Sequence, residues 1–181
     1  DLTLRAAGQM NRMIQDLLDI ARMEAGYFSL ERKPVPASAL VADVVEANRS
    51  HAGRRELRSE LSLQLPSVDV DSDRILQVFS NLVGNALRFT PENGSIQIAL
   101  RQQEADFEVA ISDNGCGIAA QHLPRVFDRF YRAESSRGSD GAGLGLALVK
   151  SIVDLHGGSA TIESEVGHGT IVKLVFPLSR K

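Results

Sequence analysis

The amino-acid sequence predicts an α+β protein: a two-layer α/β sandwich, helices on one face of a mixed sheet, with one long amphipathic helix in front. Apolar residues recur every three to four positions in the opening segment and again over 37–53, 72–90 and 144–158, the period of amphipathic helices. Between those segments lie runs that alternate apolar and polar, such as Ile96, Ile98 and Leu100 followed by Phe107, Val109 and Ile111. Helices and strands interleave with no internal repeat, so one ordinary domain with a small appendage accounts for the 181 residues.

Composition narrows the class. With 43% hydrophobic and 24% charged residues the chain is globular, and no apolar run approaches the ~20 residues of a membrane span. A formal net charge of −3 gives no general attraction to nucleic acid or to an anionic membrane surface. Cys116 is the single cysteine, which excludes an internal disulfide, disfavours a cysteine-based metal site and suits a reducing compartment. The chain starts at Asp1, without a methionine or a signal peptide, and runs straight into helical pattern; the expectation is an excised piece of a longer protein.

In the first helix Met10, Met13, Ile14, Leu17, Leu18 and Ala21 form one stripe, and Gly26 stands at the C-cap position. No adjacent helix is available to cover that stripe, so a partner helix is expected from another subunit or from sequence outside this chain. Docking on its own domain is the alternative. Segment 27–36 reads as a short strand or extended linker, interrupted by Pro34 and Pro36. A helix follows over 37–53, then a strand over 57–66, then a longer helix opened by Asp71 or Ser72 as N-cap and stopped by Pro91. The two alternating runs, joined by "QQEAD", make a hairpin with one buried face. A polar, glycine-bearing stretch spans 113–143 with "LPRVFDRFYR" inside it. Helix 144–158 comes next, and strands "SATIES" and "TIVKLVFPL" around the turn "EVGHG" close the chain.

Three stretches carry candidate chemistry. On helix 72–90 the residues Ile75, Val78, Phe79, Leu82, Ala86 and Phe89 make the core stripe, while Asn81, Asn85 and Arg88 run beside it at i, i+4 and i+7. Asparagine is a mediocre helix former, so two on one edge need a reason. Solvated amides are one reason. The other is an amide oxygen ligating a hard cation, with a guanidinium nearby for phosphate; magnesium prefers such oxygen ligands and shares them with substrate phosphates.

In "ISDNGCGI", residues 111–118, a buried strand ends in Asp113 before Gly115 and Gly117 turn the chain. Ordinary turn chemistry accounts for Asp-Asn-Gly by itself. The functional alternative is a carboxylate at the mouth of a pocket, accepting from an amino group such as that of adenine, with glycines admitting a flat ring. In "DGAGLGLAL", residues 140–148, Gly141, Gly143 and Gly145 lead into a helix N-terminus, an anion site of free N–H groups. The spacing is neither the dinucleotide fingerprint nor a P-loop. Phosphate is the visitor that the missing side chains would admit.

Taken in order, "DRILQVFSNLVGNALRFTP", "DNGCGI", "FDRFYR" and "GAGLGLALV" resemble the N, first glycine, F and second glycine boxes of sensor histidine kinases, in the superfamily that includes gyrase, Hsp90 and MutL. The resemblance covers the chain from about residue 28 onward, and "LLDIARMEAG" looks like the second helix of the family's dimerisation and phosphotransfer bundle. It implies a partial bundle over 1–26 and the Bergerat ATP-binding fold over 27–181, with a lid at about 131–142 and ATP and Mg2+ as cofactors. Asn85 would be the magnesium ligand, Asn81 its neighbour near the phosphates, and Arg88 the basic group at the phosphate end, where the family often has lysine. Phe89 would lie against the nucleotide. Asp113 would bind the adenine amino group, with Gly115, Gly117, Ile118 and Thr170 at that end. Gly141, Gly143 and Gly145, with Leu146, would frame the lid, and Arg132 would reach the γ-phosphate.

At the position of Asn81 the superfamily's hydrolases resemble one another in a water-activating glutamate. An asparagine has no basic site near neutral pH. The site is therefore expected to hold ATP without fast hydrolysis and to deliver its γ-phosphate elsewhere, with Asn81, Arg88 and Arg132 as the catalytic set. The family's acceptor histidine opens a His-Glu-x-Arg-Thr-Pro pattern, which none of His51, His122, His156 and His168 matches. His156, in "LHGG" at a helix end, reads as structural.

The resemblance thus implies the ATP-binding fragment of a protein-histidine kinase that does not phosphorylate itself. Its partners would be the acceptor helix of the same kinase, a response regulator and a second copy in the full-length homodimer, with no nucleic acid. The parent would be an inner-membrane sensor with this part on the cytoplasmic side. Two other readings of the same pocket are a serine kinase of the anti-sigma type, against which residues 1–26 argue, and a non-catalytic ATP-binding scaffold.

Overall fold

The computed structural model describes residues 2–62, 67–103, 106–133 and 142–178. In chain order the elements are α1 (Leu2–Glu24), β1 (Lys33–Pro36), α2 (Ala37–Ala52), β2 (Glu56–Leu61), β3 (Ser67–Val70), α3 (Ser72–Phe89), β4 (Ser95–Gln103), β5 (Asp106–Asp113), a 3-10 turn at Ala120–Arg125, α4 (Gly145–Leu155), β6 (Ser159–Glu165) and β7 (Gly169–Pro177). The main sheet has the order β2-β4-β5-β7-β6. β2 runs parallel to β4 and the other neighbours are antiparallel, so the sheet is mixed, as predicted.

Period-two burial sets the sheet's inner face. Ile98, Ile111 and Val172 form one cross-strand row, and Leu100, Val109 and Leu174 the next. Both rows belong to the core shared with Val78, Phe79 and Leu82 of α3 and Leu148 and Ile152 of α4. The same alternation carries two polar side chains to that inner side at the sheet's end. Asp113 follows Ile111 by two residues and Thr170 precedes Val172 by two, and the two are register partners.

Helix α3 starts as its sequence requires: Asp71 is the N-cap, its carboxylate accepting the Arg74 N–H at 3.2 Å. It ends at Phe89, with Thr90 as C-cap just before Pro91. The strand expected over 57–66 is in fact shorter, and a separate strand, β3, follows it outside the main sheet, pairing antiparallel with β1. Val68 and Val70 are buried there. Pro34 and Pro36 are tolerated in β1 because a two-stranded ribbon leaves each strand one edge that needs no N–H donor.

Helix α1 docks on its own domain, but by a face other than the predicted stripe. Its last turns dock on their own domain, with Ile20 and Met23 buried, which contributes roughly 1.5–3 kcal/mol for each side chain. Asp19, 2% exposed, pairs with Arg74 of α3 at 2.9 Å, and Glu24 pairs with Arg129. The predicted stripe lies on a different side: Met10, Met13, Ile14, Leu17, Leu18 and Ala21 stay exposed. Ile20 and Met23 form a second, smaller apolar face that the more numerous outer apolar residues of the same helix mask in the sequence.

Candidate functional site

A cavity of about 390 Å3 lies between α3, α4 and the end of the sheet that carries Asp113. Asn81, Asn85 and Arg88 line it, spaced along α3 by one turn and then by three residues, beside the core stripe. Phe89 lines it too. It is half-buried, at the last residue of the helix, and stands outside the sealed core stripe to which its spacing assigned it. The Arg88 guanidinium lies 5.8 Å from the centre of the Phe89 ring.

Asn81 donates its amide nitrogen to the Gln77 carbonyl one turn back at 3.1 Å. That bond turns its oxygen toward the start of α4, where a Cβ on Gly145 would stand 3.1 Å from it. Among the described residues no side chain caps the start of α4, whose first N–H groups have no partner within the helix itself. Gly143, Leu144, Gly145 and Leu146, at and just before that helix start, all face the cavity.

At the other end stands Asp113. Its Oδ1 accepts the Gly115 N–H at 2.8 Å. Burial raises the Asp113 carboxyl above its ordinary value, outweighing the backbone N–H groups of Gly115 and Thr170 that hold it down. Ile118 and Thr170 line this end with Gly117 and Cys116.

The glycines are also required by the packing of the chain on itself. Gly117 has φ +69°, and a Cβ there would overlap the Glu165 carbonyl. On Gly115 a Cβ would lie 2.5 Å from the Phe89 carbonyl oxygen, and on Gly143 2.8 Å from the Tyr131 carbonyl oxygen. On the side where a Cβ would stand, what comes close to these backbones is the protein's own chain, while Gly117 and Gly143 also line the cavity. Gly115 is not on the cavity wall at all. Gly141 and most of the expected lid, residues 134–141, lie outside the described residues.

The remaining predicted residue, Arg132, also lines the cavity. Sequence reasoning missed Met13 and Asp16 of α1, which reach the cavity across the domain, and the apolar Ile162 and Val172, whose alternation reads only as core. None of His51, His122, His156 and His168 lines it. Among the described residues no group of three or more His, Cys, Asp or Glu could hold a metal ion.

A family model of histidine kinase-, DNA gyrase B- and HSP90-like ATPases matches residues 70–180. The chain belongs to that family. Within it, this ATPase domain is similar to the sensor protein SrrB of Staphylococcus aureus (strain NCTC 8325 / PS 47), at 37% identity over 181 residues, 97% of this chain and 31% of that protein. The domain thus spans about a third of the length of the curated relatives it matches. Full-length ShkA in complex with AMPPNP superimposes with a TM-score of 0.86 at 28% identity, covering 99% of this chain and 38% of that one. The mycobacterial sensor histidine kinase MprB gives 0.73 at 28% identity, covering 83% of this chain and 99% of that one. These relatives place the ATPase domain in the sensor-histidine-kinase branch of its family, with the α+β fold of those domains.

Proposed function

We propose that this ATPase domain binds ATP with magnesium and passes the γ-phosphate to a histidine on a helix outside this chain, from which a response regulator takes it. The convergence of Asn81, Asn85, the uncapped start of α4 and the Asp113 carboxylate on one cavity carries that reading. It puts oxygen donors and free N–H groups where a triphosphate would lie and a carboxylate where an amino-bearing base would lie.

Asn85 offers its amide oxygen to the cation, which when bound would neutralise phosphate charge. Arg88 and Arg132 bring positive charge to the same cavity, and the Phe89 ring offers a flat apolar face to the nucleotide. Asn81 stands where a general base would activate water, and its amide has no proton-accepting site for that task. A bound γ-phosphate would therefore survive until an acceptor arrives. Residues 1–26 serve as the closing helix of a dimerisation and phosphotransfer bundle, and the exposed stripe Met10, Ile14, Leu17 and Leu18 is the face for a second copy. The parent protein is a membrane-anchored sensor with this part in the cytoplasm; among the described residues no helix is long and apolar enough to cross a membrane.

Titration calorimetry with ATP, with and without EDTA, tests the site. Wild type is expected to bind in a magnesium-dependent manner and Asn85→Ala to lose that dependence. Equal affinity in the two proteins, with and without the chelator, overturns the assignment. Incubation with labelled ATP is expected to leave no phosphohistidine on this chain alone.

A further inference from the structure

The three side chains Ser164, Thr170 and Asp113 form one row across β6, β7 and β5, each the register partner of the next. Asp113 and Thr170 line the cavity; Ser164, next in the row on the edge strand β6, does not. Its hydroxyl oxygen is 2.7 Å from the Gly169 carbonyl, 2.8 Å from the Ile118 nitrogen and 2.9 Å from the Thr170 hydroxyl.

Those distances leave one arrangement of protons. A carbonyl carries no proton, so at 2.7 Å the Ser164 hydroxyl must donate to Gly169. With its proton spent, Ser164 accepts from the Ile118 N–H. The contact with Thr170 then has to use the proton of Thr170. The Thr170 backbone N–H is directed at the Asp113 carboxylate. Both protons of Thr170 are therefore engaged within the protein, which leaves its hydroxyl oxygen only lone pairs to offer a ligand. Asp113, ionised, is likewise an acceptor.

We infer that Ser164 is a specificity-determining positioning residue: by holding the Thr170 hydroxyl proton, it makes the base end of the cavity acceptor-only. Two neighbouring acceptors match the two N–H bonds of a 6-amino purine and oppose the lone pairs of a 6-oxo purine. Without Ser164 the Thr170 hydroxyl is free to rotate and donate to a 6-oxo group. This rests on the nucleotide reading of the site, and it adds a residue that never touches the base.

The test compares ATP with ITP, which carries a 6-oxo group, by calorimetry on the 181-residue chain. Ser164→Ala is expected to reduce the preference for ATP over ITP by about fivefold, the size of one neutral hydrogen bond. Ser164→Thr, which keeps the hydroxyl, is expected to retain the preference. Loss of the Ile118 contact by itself would weaken both nucleotides alike, so the ratio separates positioning from a structural role. An unchanged ratio in Ser164→Ala overturns the inference. Thr170→Val, with Ser164 in place, must also lower the ratio, and an unchanged ratio there overturns it even if the serine variant does not fold. Wild type that binds ATP and ITP equally sinks the inference and leaves the nucleotide reading standing; wild type that binds neither sinks that reading.

Discussion

The Nε2 atom of His156 accepts the backbone N–H of Asp71 at 3.1 Å, while Nδ1 donates to the Ile152 carbonyl at 2.8 Å. One buried ring thereby joins the end of α4 to the start of α3. The Asp71 carboxylate extends the tie, capping α3 through Arg74 and accepting the Glu31 N–H at 3.0 Å. Because the two helices run antiparallel, this fixed end sets how the start of α4 meets Asn81 at the cavity.

Burial lowers the His156 pKa from its ordinary 6.5, the added Arg32 charge acting the same way, against the Ile152 carbonyl and the Asp71 and Asp69 carboxylates. A histidine lowered by folding stabilises the fold above its unfolded value and loses that contribution as pH falls through the folded one. His156→Ala is expected to cost about 1–3 kcal/mol at neutral pH, since the Asp71 N–H is left buried and unpaired. The difference in thermal midpoint between wild type and variant should shrink between pH ~7.5 and ~5. A difference that grows toward acid would contradict the neutral ring.

For Asp113 the sign is opposite. An acid whose pKa is raised by folding contributes most below its ordinary value of 3.8, and that contribution is lost as pH rises through the folded value. At neutral pH its ionised form weakens the fold relative to a neutral isostere. Asp113→Asn is expected to melt at the same temperature or higher near neutral pH, yet to bind ATP about tenfold more weakly or worse. The amide must keep its oxygen on the Gly115 N–H and so turns an NH2 toward the base. Melting curves and calorimetry on one preparation separate the two effects.

Two glycines should respond in opposite directions to the same change. Gly117→Ala drives a Cβ into the Glu165 backbone at φ +69° and is expected to cost about 2–4 kcal/mol. Gly84, in the middle of α3, has open space where its Cβ would go, and Gly84→Ala is expected to stabilise by about 0.5–1 kcal/mol. Urea unfolding of both variants checks the pair.

The Asp19–Arg74 pair pins α1 to the domain. Asp19 is almost fully buried and also accepts from Gln15 at 3.2 Å, while Arg74 bonds Gln77 and stacks 4.7 Å from the Phe28 ring. Asp19→Ala is expected to cost about 1–3 kcal/mol and to speed amide exchange over residues 15–26. Amides of α3 and β5 should stay protected. Faster exchange everywhere would mean that α1 is part of the cooperative core.

Much of the fold could be read in advance because it rests on short periods. The alternation in Ile96 to Ile111, the Asp71 cap and the break at Pro91 each act within a few residues, and each appears where expected. The row of Asn81, Asn85 and Arg88 was visible for the same reason. β3 was not, since four residues in a two-stranded ribbon carry too little pattern to separate from the preceding strand. Ile20 and Met23 were hidden by a competing stripe on the same helix, and two apolar faces on one helix cannot be ranked without the surface each one meets.

By itself the sequence determined which residues share a helix face or a sheet face, and hence that two asparagines, an arginine and an aspartate stand beside core stripes. Tertiary structure alone decided what those faces meet. The glycines of the cavity wall are explained by backbone from distant segments, Glu165 against Gly117 and Tyr131 against Gly143. Ser164 gains its role from register with Thr170, a pairing across two strands. The physical reason is range: side-chain periodicity is a local property of the backbone, whereas close approach and proton direction depend on contacts between segments that only the folded chain brings together.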